Sequence, residues 1–283
     1  METINGFQIL RKVAESNTAE IFHVMRLIGR GRGSEYAVKA LRDEYARDRV
    51  ERSYLETEYR IGSILDHRNV VHAHELQLNT KRPFLVLDLI QGPSLRQCLE
   101  RERGRPALDD VLPWIAKAAD GLGYVHEAGY VHRDVKPQNI VIGAGGDVKV
   151  IDFALAIPQD ASLGKYLIRR LTQRRRPGTW SYMSPEQIRH RRVTGLADVY
   201  SLGVTVFEAA TGRLPFAAET PQELMEQHLY ARTPSIRTLA PEAPIELDEL
   251  VRAMMAKDPL DRPTAMQYVS VKLRSIASTV GAV

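Results

Sequence analysis

The chain has 283 residues, 44% of them hydrophobic, enough for one large domain or two lobes with cores of their own. Its 39 basic and 35 acidic side chains leave a formal charge of only +4, which argues against a nucleic-acid-binding polycation and confines any basic patch to a local stretch. The single cysteine, Cys98, excludes an internal disulfide, no apolar run reaches the roughly 18 residues of a membrane span, and METINGFQIL has no charged region followed by an apolar core, so the expectation is a soluble, cytoplasmic protein.

In chain order, Phe7 to Val13 and Ile21 to Ile28 carry β-type apolar residues, Tyr36 to Leu41 is a short apolar strand, and PFLVLDLI at 83–90 reads as a buried strand. The glycines of GRGRGS at 29–34 suggest a phosphate loop, but Gly33 lies too close to Lys39 to leave room for a strand between them. The segment is therefore predicted to be an exposed hairpin turn, with Arg30 and Arg32 in solvent. A helix is predicted over 49–67, with Val50, Tyr54, Ile61, Ile64 and Leu65 at helical spacing and Glu51 and Glu56 on solvated faces. His72 and His74 share a strand face without a third ligand, so a metal there is not expected.

After the turn signal Gln91-Gly92-Pro93 the pattern becomes helical. Leu95, Cys98 and Leu99 share a face, giving Cys98 a packing role. DDVLPWIAKAADGLGYVHEAG, at 109–129, reads as a helix with Asp caps, a proline in its first turn and a stop at Gly129. ADVYSLGVTVFEAATG, at 197–212, is apolar almost all round, as a helix at the centre of a lobe must be. The expected organisation is a β-rich part, 1–90, followed by a mainly helical part, 91–283.

Between these two helices stands His132-Arg133-Asp134-Val135-Lys136-Pro137-Gln138-Asn139, followed by Val148-Lys149-Val150-Ile151-Asp152-Phe153. Two carboxylates, a lysine and an asparagine on successive strand ends and loops are the groups that phosphoryl transfer requires. The stretch resembles the Hanks-type, eukaryotic-like serine/threonine protein kinases, with HRDxKxxN and DF as the specific motifs. DVKPQN, YMSPEQ and DVYSLGVTVFEAATGRLPF look most like bacterial members.

The resemblance implies an α+β, bilobal protein-kinase fold, with a small β-rich first lobe, a larger helical second lobe and the active site in the cleft between them. It implies an enzyme that uses ATP with Mg²⁺ or Mn²⁺ to phosphorylate Ser or Thr of a protein substrate. Asp134 would orient the acceptor hydroxyl, Lys136 neutralise the migrating phosphate, and Asn139 and Asp152 hold the metal. His132 would be structural. Tyr36-Ala37-Val38-Lys39 matches the strand whose lysine holds the α- and β-phosphates, with Glu58 as its partner. Leu87 would be the gatekeeper, the main chain of Asp88 and Ile90 would bond the adenine edge, and Val13, Ile21, Ala37 and Val141 would line the nucleotide.

Further on, GTWSYMSPEQ resembles the peptide-binding loop. Glu186 is expected to pair with Arg262 and Asp198 to hold the catalytic loop from below. Lys136 and Thr179 are typical of serine/threonine enzymes. Thr172, with Ser162 and Thr179, would be a phosphoacceptor in an arginine-rich loop containing Arg169, Arg170, Arg174, Arg175 and Arg176. Arg133 would dock that phosphate. A mobile solvated loop, or contact with an acidic or regulatory partner, are the other readings of the arginines; nucleic acid is disfavoured.

Two motifs depart from the family. The nucleotide loop, VAESNTAEIF, has Ala14, Ser16 and Ala19 where glycines stand, and strain at positions needing positive φ implies affinity lower by about ten- to a hundredfold. DFG is Asp152-Phe153-Ala154, and Gly62 stands four residues after Glu58, where an apolar side chain would pack on Phe153. The helix carrying Glu58 is therefore expected to be loose, with Glu58 displaced from Lys39 without nucleotide. The same departures leave open a pseudokinase or weakly active nucleotide-sensing scaffold.

Overall fold

The structure, a computed structural model, describes residues 2–26, 33–101, 106–160 and 179–280. The chain forms two compact units. The first comprises Met1–Asp66, Val70–Gln91 and Phe153–Leu155, and the second His67–Asn69, Gly92–Asp152 and Ala156–Val283.

In the first unit, β1 (Thr3–Ile4), β2 (Phe7–Glu15), β3 (Ala19–Arg26), β4 (Glu35–Leu41), β5 (Ala73–Gln77) and β6 (Phe84–Asp88) form an antiparallel sheet of order β1-β2-β3-β4-β6-β5. Strand β1 was not anticipated. It is made by Asn5 and Gly6, both at positive φ (46° and 89°), the Asn-Gly pair that a tight two-residue hairpin turn favours. On one face Phe22, Val24, Val38, Ala40, Phe84 and Val86 pack with Ile4 and Phe7 as the core. Register shifts in β2, between Ile9 and Arg11 and between Lys12 and Ala14, leave Leu10 and Val13 as extra residues; such bulges bend a strand and increase its twist. Strands β3 and β4 are antiparallel neighbours, with Met25 opposite Glu35. Most of GRGRGS, including Arg30 and Arg32, lies outside the described residues.

Helix α1 (Arg49–Gly62) also belongs to this unit. Asp48 caps it, accepting from the Val50 N–H at 2.8 Å and the Glu51 N–H at 3.2 Å. Glu56 is exposed but Glu51 is buried, contrary to the solvated face expected for it. Its carboxylate lies in the first helical turn, where the positive end of the helix favours an anion.

The second unit is helical around small antiparallel ribbons. In chain order it contains α2 (Leu95–Arg101), α3 (Leu108–Glu127), β7 (Tyr130–Val131), β8 (Ile140–Ile142), β9 (Val148–Val150) and β10 (Ile157–Pro158). These are followed by α4 (Pro185–Ile188), α5 (Gly195–Thr211), α6 (Pro221–Tyr230), α7 (Ile245–Met254) and α8 (Met266–Val280). Strand β7 pairs with β10, and β8 with β9.

Helix α5 is buried from Ala197 to Thr211 and ends at Gly212 in the left-handed region, which agrees with its all-round apolar sequence. Helix α3 differs at its start: Asp109 and Asp110 are in its first turn rather than at the cap, and Pro113 lies inside the helix. The acids complement the positive helix end there without a side-chain cap. Leu95 and Leu99 are buried and Cys98 is partly exposed. Among the described residues no helix is long and apolar enough to cross a membrane.

Candidate active site

In the first unit, the pairing of Ile21 with Lys39 and of Ala37 with Leu87 puts these four side chains on the sheet face opposite the core. Val13, at its bulge, is 42% exposed. Lys39 Nζ lies 2.6 Å from Glu58 Oε2, and both side chains are buried. The expectation of a displaced Glu58 is therefore corrected. Gly62 is the reason: a Cβ added there would stand 2.9 Å from Ala73 Cβ. The missing side chain lets α1 sit close against β5 instead of loosening it. Phe153 is completely buried, and the turn Phe153–Leu155 packs on α1. Ala154 has no positive φ, so this conformation does not require glycine there.

None of Ala14, Ser16 and Ala19 has a positive φ either, so the backbone strain expected of them does not arise. His72 Nδ1 lies 3.1 Å from the Leu65 carbonyl, and His74 Nε2 2.9 Å from Asp88 Oδ1. The two rings thus serve the ends of β5 and β6.

In the second unit, Asp134 and Asn139 are buried and Asp134 is gripped from several sides. Lys136 Nζ donates to both its oxygens, at 2.9 and 2.7 Å. Asn139 Nδ2 donates to its carbonyl at 2.8 Å and to Oδ2 at 3.0 Å. A 3₁₀ turn, Pro137–Asn139, brings the asparagine back toward the aspartate, with the Asn139 N–H bonded to the Lys136 carbonyl at 2.9 Å. The Ile151 N–H donates to the Asn139 carbonyl at 3.0 Å, which sets Asp152 beside this loop. Val141 lies on β8, bridged to Ser94.

Burial pushes the Asp134 carboxyl above its ordinary value of 3.8; Lys136 opposes the shift and the charge of Asp152 adds to it. His132 is structural: Nε2 faces the Ile151 carbonyl at 3.0 Å and Nδ1 accepts the Asp134 N–H at 3.2 Å. A carbonyl only accepts and an amide only donates, so the tautomer is fixed.

Beneath the loop, Asp198 is fully buried. Oδ2 accepts the His132 N–H and Oδ1 the Arg133 N–H, each at 2.8 Å, and His126 Nε2 is 2.8 Å from Oδ2. Desolvation of Asp198 is overcome by these partners, and its carboxyl is held below the ordinary 3.8. Arg133 has φ 69° and Asp152 φ 68°, a left-handed conformation that costs about 1–2 kcal/mol per non-glycine residue. The hydrogen bonds to Asp198, and that of Gln187 Nε2 to the Arg133 carbonyl at 3.0 Å, hold the strained turn. Glu186 and Arg262 make a buried two-point ion pair, at 2.8 and 2.9 Å.

A comparison with protein families matches residues 12–273 to the protein kinase domain. The chain belongs to the protein kinase family. Over 245 residues the kinase is 35% identical to the serine/threonine-protein kinase PknL of Mycobacterium tuberculosis, covering 85% of this chain and 59% of the relative. It is 30% identical over 256 residues to the serine/threonine-protein kinase PrkC of Bacillus subtilis, covering 90% and 38%. The chain thus spans about three-fifths, or less, of these relatives. The PknI kinase domain of M. tuberculosis shares the fold, with a TM-score of 0.72 at 22% identity over 98% of this chain and 97% of that one.

Several contacts of the kinase were not anticipated. Among them are His126 under Asp198 and Gln187 on Arg133, and a third is a buried cluster in which Arg96 donates to both oxygens of Glu208, at 2.8 and 2.9 Å, with the Tyr182 hydroxyl 2.5 Å from Glu208 Oε2. Tyr182 lies in the stretch assigned to peptide binding, and burial together with Glu208 keeps its hydroxyl protonated. Gln187 was legible as the partner of Ser184 in a capping box; the pairing of Arg96 with Glu208, 112 residues apart, has no local signal. Ser162, Thr172 and Arg169, Arg170, Arg174, Arg175 and Arg176 lie outside the described residues, and Thr179 begins a 3₁₀ turn, Thr179–Tyr182.

Proposed function

We propose that this kinase transfers the γ-phosphoryl group of ATP to Ser or Thr hydroxyls of a protein substrate. The observation that carries the reading is the buried Asp134 carboxylate with Lys136 and Asn139 on it, on a loop fixed by Asp198. The names of the curated relatives support the same class.

Asp134 accepts or orients the acceptor proton as the new O–P bond forms and the bond from the γ-phosphorus to ADP breaks. Lys136 balances charge on the phosphoryl group in flight. Lys39, held by Glu58, takes the α- and β-phosphates. Ile21, Ala37 and Val13 flank the adenine, Leu87 backs it, and the main chain of Asp88 and Ile90 bonds its edge.

Mg²⁺ or Mn²⁺ suits Asn139 and Asp152, which offer hard oxygens. Such a metal keeps several waters and shares phosphate oxygens, so two protein ligands suffice for it. When bound, it would neutralise phosphate charge. We assign residues 1–90 and 91–283 as the two lobes of one catalytic domain in the cytoplasm. Thr172, Thr179 and Ser162 are the self-phosphorylation sites, Arg133 pairs with the phosphate, and the arginine-rich loop suits an acidic regulatory partner.

Phosphate transfer from ATP to Ser- and Thr-containing peptides, with Asp134→Asn as control, tests the reading. Transfer confined to the unmutated chain supports it. Equal transfer by both, or to Tyr alone, refutes it.

A further inference from the structure

The nucleotide loop has no glycine at its three expected positions, and one of the replacements is a serine with a hydroxyl in the loop's own hydrogen-bond ring. Glycine-rich phosphate loops work because their backbone N–H groups point at the phosphates. Here several of those groups are already engaged. Ser16 Oγ accepts the Ala19 N–H at 3.0 Å and the Thr18 N–H at 3.4 Å, and donates to the Ala19 carbonyl at 3.2 Å. The Ser16 N–H also goes to the Ala19 carbonyl, at 2.8 Å. The side chain thus already accepts from two N–H groups of the loop.

The end of β4 ties down the same turn. The Arg42 N–H donates to the Thr18 carbonyl at 2.9 Å, and Arg42 Nε to the Ser16 carbonyl at 3.0 Å. Arg42 Nη2 reaches Glu15 at 2.9 Å, Lys12 pairs with Glu15 at 2.6 Å and with Glu20 at 2.9 Å, and Arg82 pairs with Glu20. Glu15 and Lys12 are about half exposed, where solvent screening leaves ion pairs weak. The hydroxyl and the two Arg42 bonds to the main chain are therefore the firm part of the tie.

We propose that Ser16 is a positioning residue that caps its own nucleotide loop and competes with the phosphates of ATP for the Thr18 and Ala19 N–H groups. The inference rests on the reading of 13–21 as the nucleotide loop given above. It assigns any lowered affinity to occupied donors rather than to the backbone strain expected from the sequence. Binding of a nucleoside that lacks phosphate is unaffected by the competition.

Calorimetric titration of the 283-residue chain with adenosine, ADP and ATP, the nucleotides with Mg²⁺, tests this on the unmutated chain and on S16A, S16G and S16T. Release of one capping hydrogen bond is worth about a tenfold change. The expected result is ADP and ATP binding about tenfold tighter in S16A and S16G, adenosine binding unchanged, and S16T close to the unmutated chain. The inference is overturned if S16A and S16G bind ATP no more tightly, if adenosine tightens equally, or if S16T behaves like S16A. Failure of the unmutated chain to bind any of the three overturns the nucleotide-loop reading itself, and the inference with it. Adenosine binding by each variant also shows that it is folded.

Discussion

Glu58 Oε2 stands 2.6 Å from Lys39 Nζ, and the two side chains are only 2% and 10% exposed. At such burial, removal of one partner takes away the close counter-charge of the other, while removal of both leaves no buried charge behind. Lys39→Met is therefore expected to lower stability by about 3–5 kcal/mol. The double variant Lys39→Met, Glu58→Leu should regain most of that and remain inactive. Urea unfolding and phosphotransfer on the same samples check this; activity returning with stability would show that the pair serves the fold alone.

Gly62 supports that pair from beneath. A methyl group at this position would approach Ala73 Cβ to 2.9 Å, and overpacking of this kind costs about 1–3 kcal/mol. Gly62→Ala should lower both the urea midpoint and the rate, and adding Ala73→Gly should restore much of each. An unchanged midpoint in the single variant would show that α1 moves without cost.

Asp134 must be ionised to accept a proton, and its pKa is raised above 3.8 mainly by burial. The acid limb of kcat/KM should therefore fall at a pH above that of an ordinary aspartate. Because Lys136 lowers this pKa, Lys136→Ala should move the limb further up in pH as well as reduce the rate. A pH-rate profile of both proteins decides it; a limb moved downward contradicts the assignment. Between the ordinary and the raised value the folded state binds the proton first, so this group makes the fold more stable as pH falls through that window.

Asp198 works in the opposite direction. Its pKa is lowered from 3.8, so its contribution is present above about pH 4 and is lost as pH falls through the lowered value. Asp198→Ala removes the acceptor of the buried His132 N–H and of the partly buried Arg133 N–H. At about 1–3 kcal/mol for each, the variant should be several kcal/mol less stable at pH 7. Urea midpoints measured down to pH 3 should bring the variant and the unmutated chain closer together.

The parts of this molecule legible in the sequence are those where neighbours decide the outcome. The short apolar run of Tyr36 to Leu41, the all-round apolar run of α5 and the HRDxKxxN loop each carry their own signal, and the pairing of Glu186 with Arg262 followed from the family motifs. What was misread depends on distant partners. Gly62 read as a missing contact because Ala73, which needs the space, is brought alongside only by the fold. Glu51 read as solvated because one helical turn does not reveal what covers it. Ser16 read as a small residue replacing glycine, and only the closed turn shows its hydroxyl bonded to Ala19. The Arg96, Tyr182 and Glu208 cluster joins three segments that no local pattern connects.

The central claim, that this loop transfers phosphate, is tested most directly by intact mass. The chain is stripped of phosphate with a phosphatase, freed of that enzyme, and incubated with ATP and Mg²⁺ or Mn²⁺ beside Asp134→Ala. The expected result is a gain of whole phosphoryl groups on Ser or Thr by the unmutated chain and none by the variant. An unmutated chain that binds ATP yet gains no phosphate with either metal, on itself or on any Ser- or Thr-containing peptide, would contradict the account.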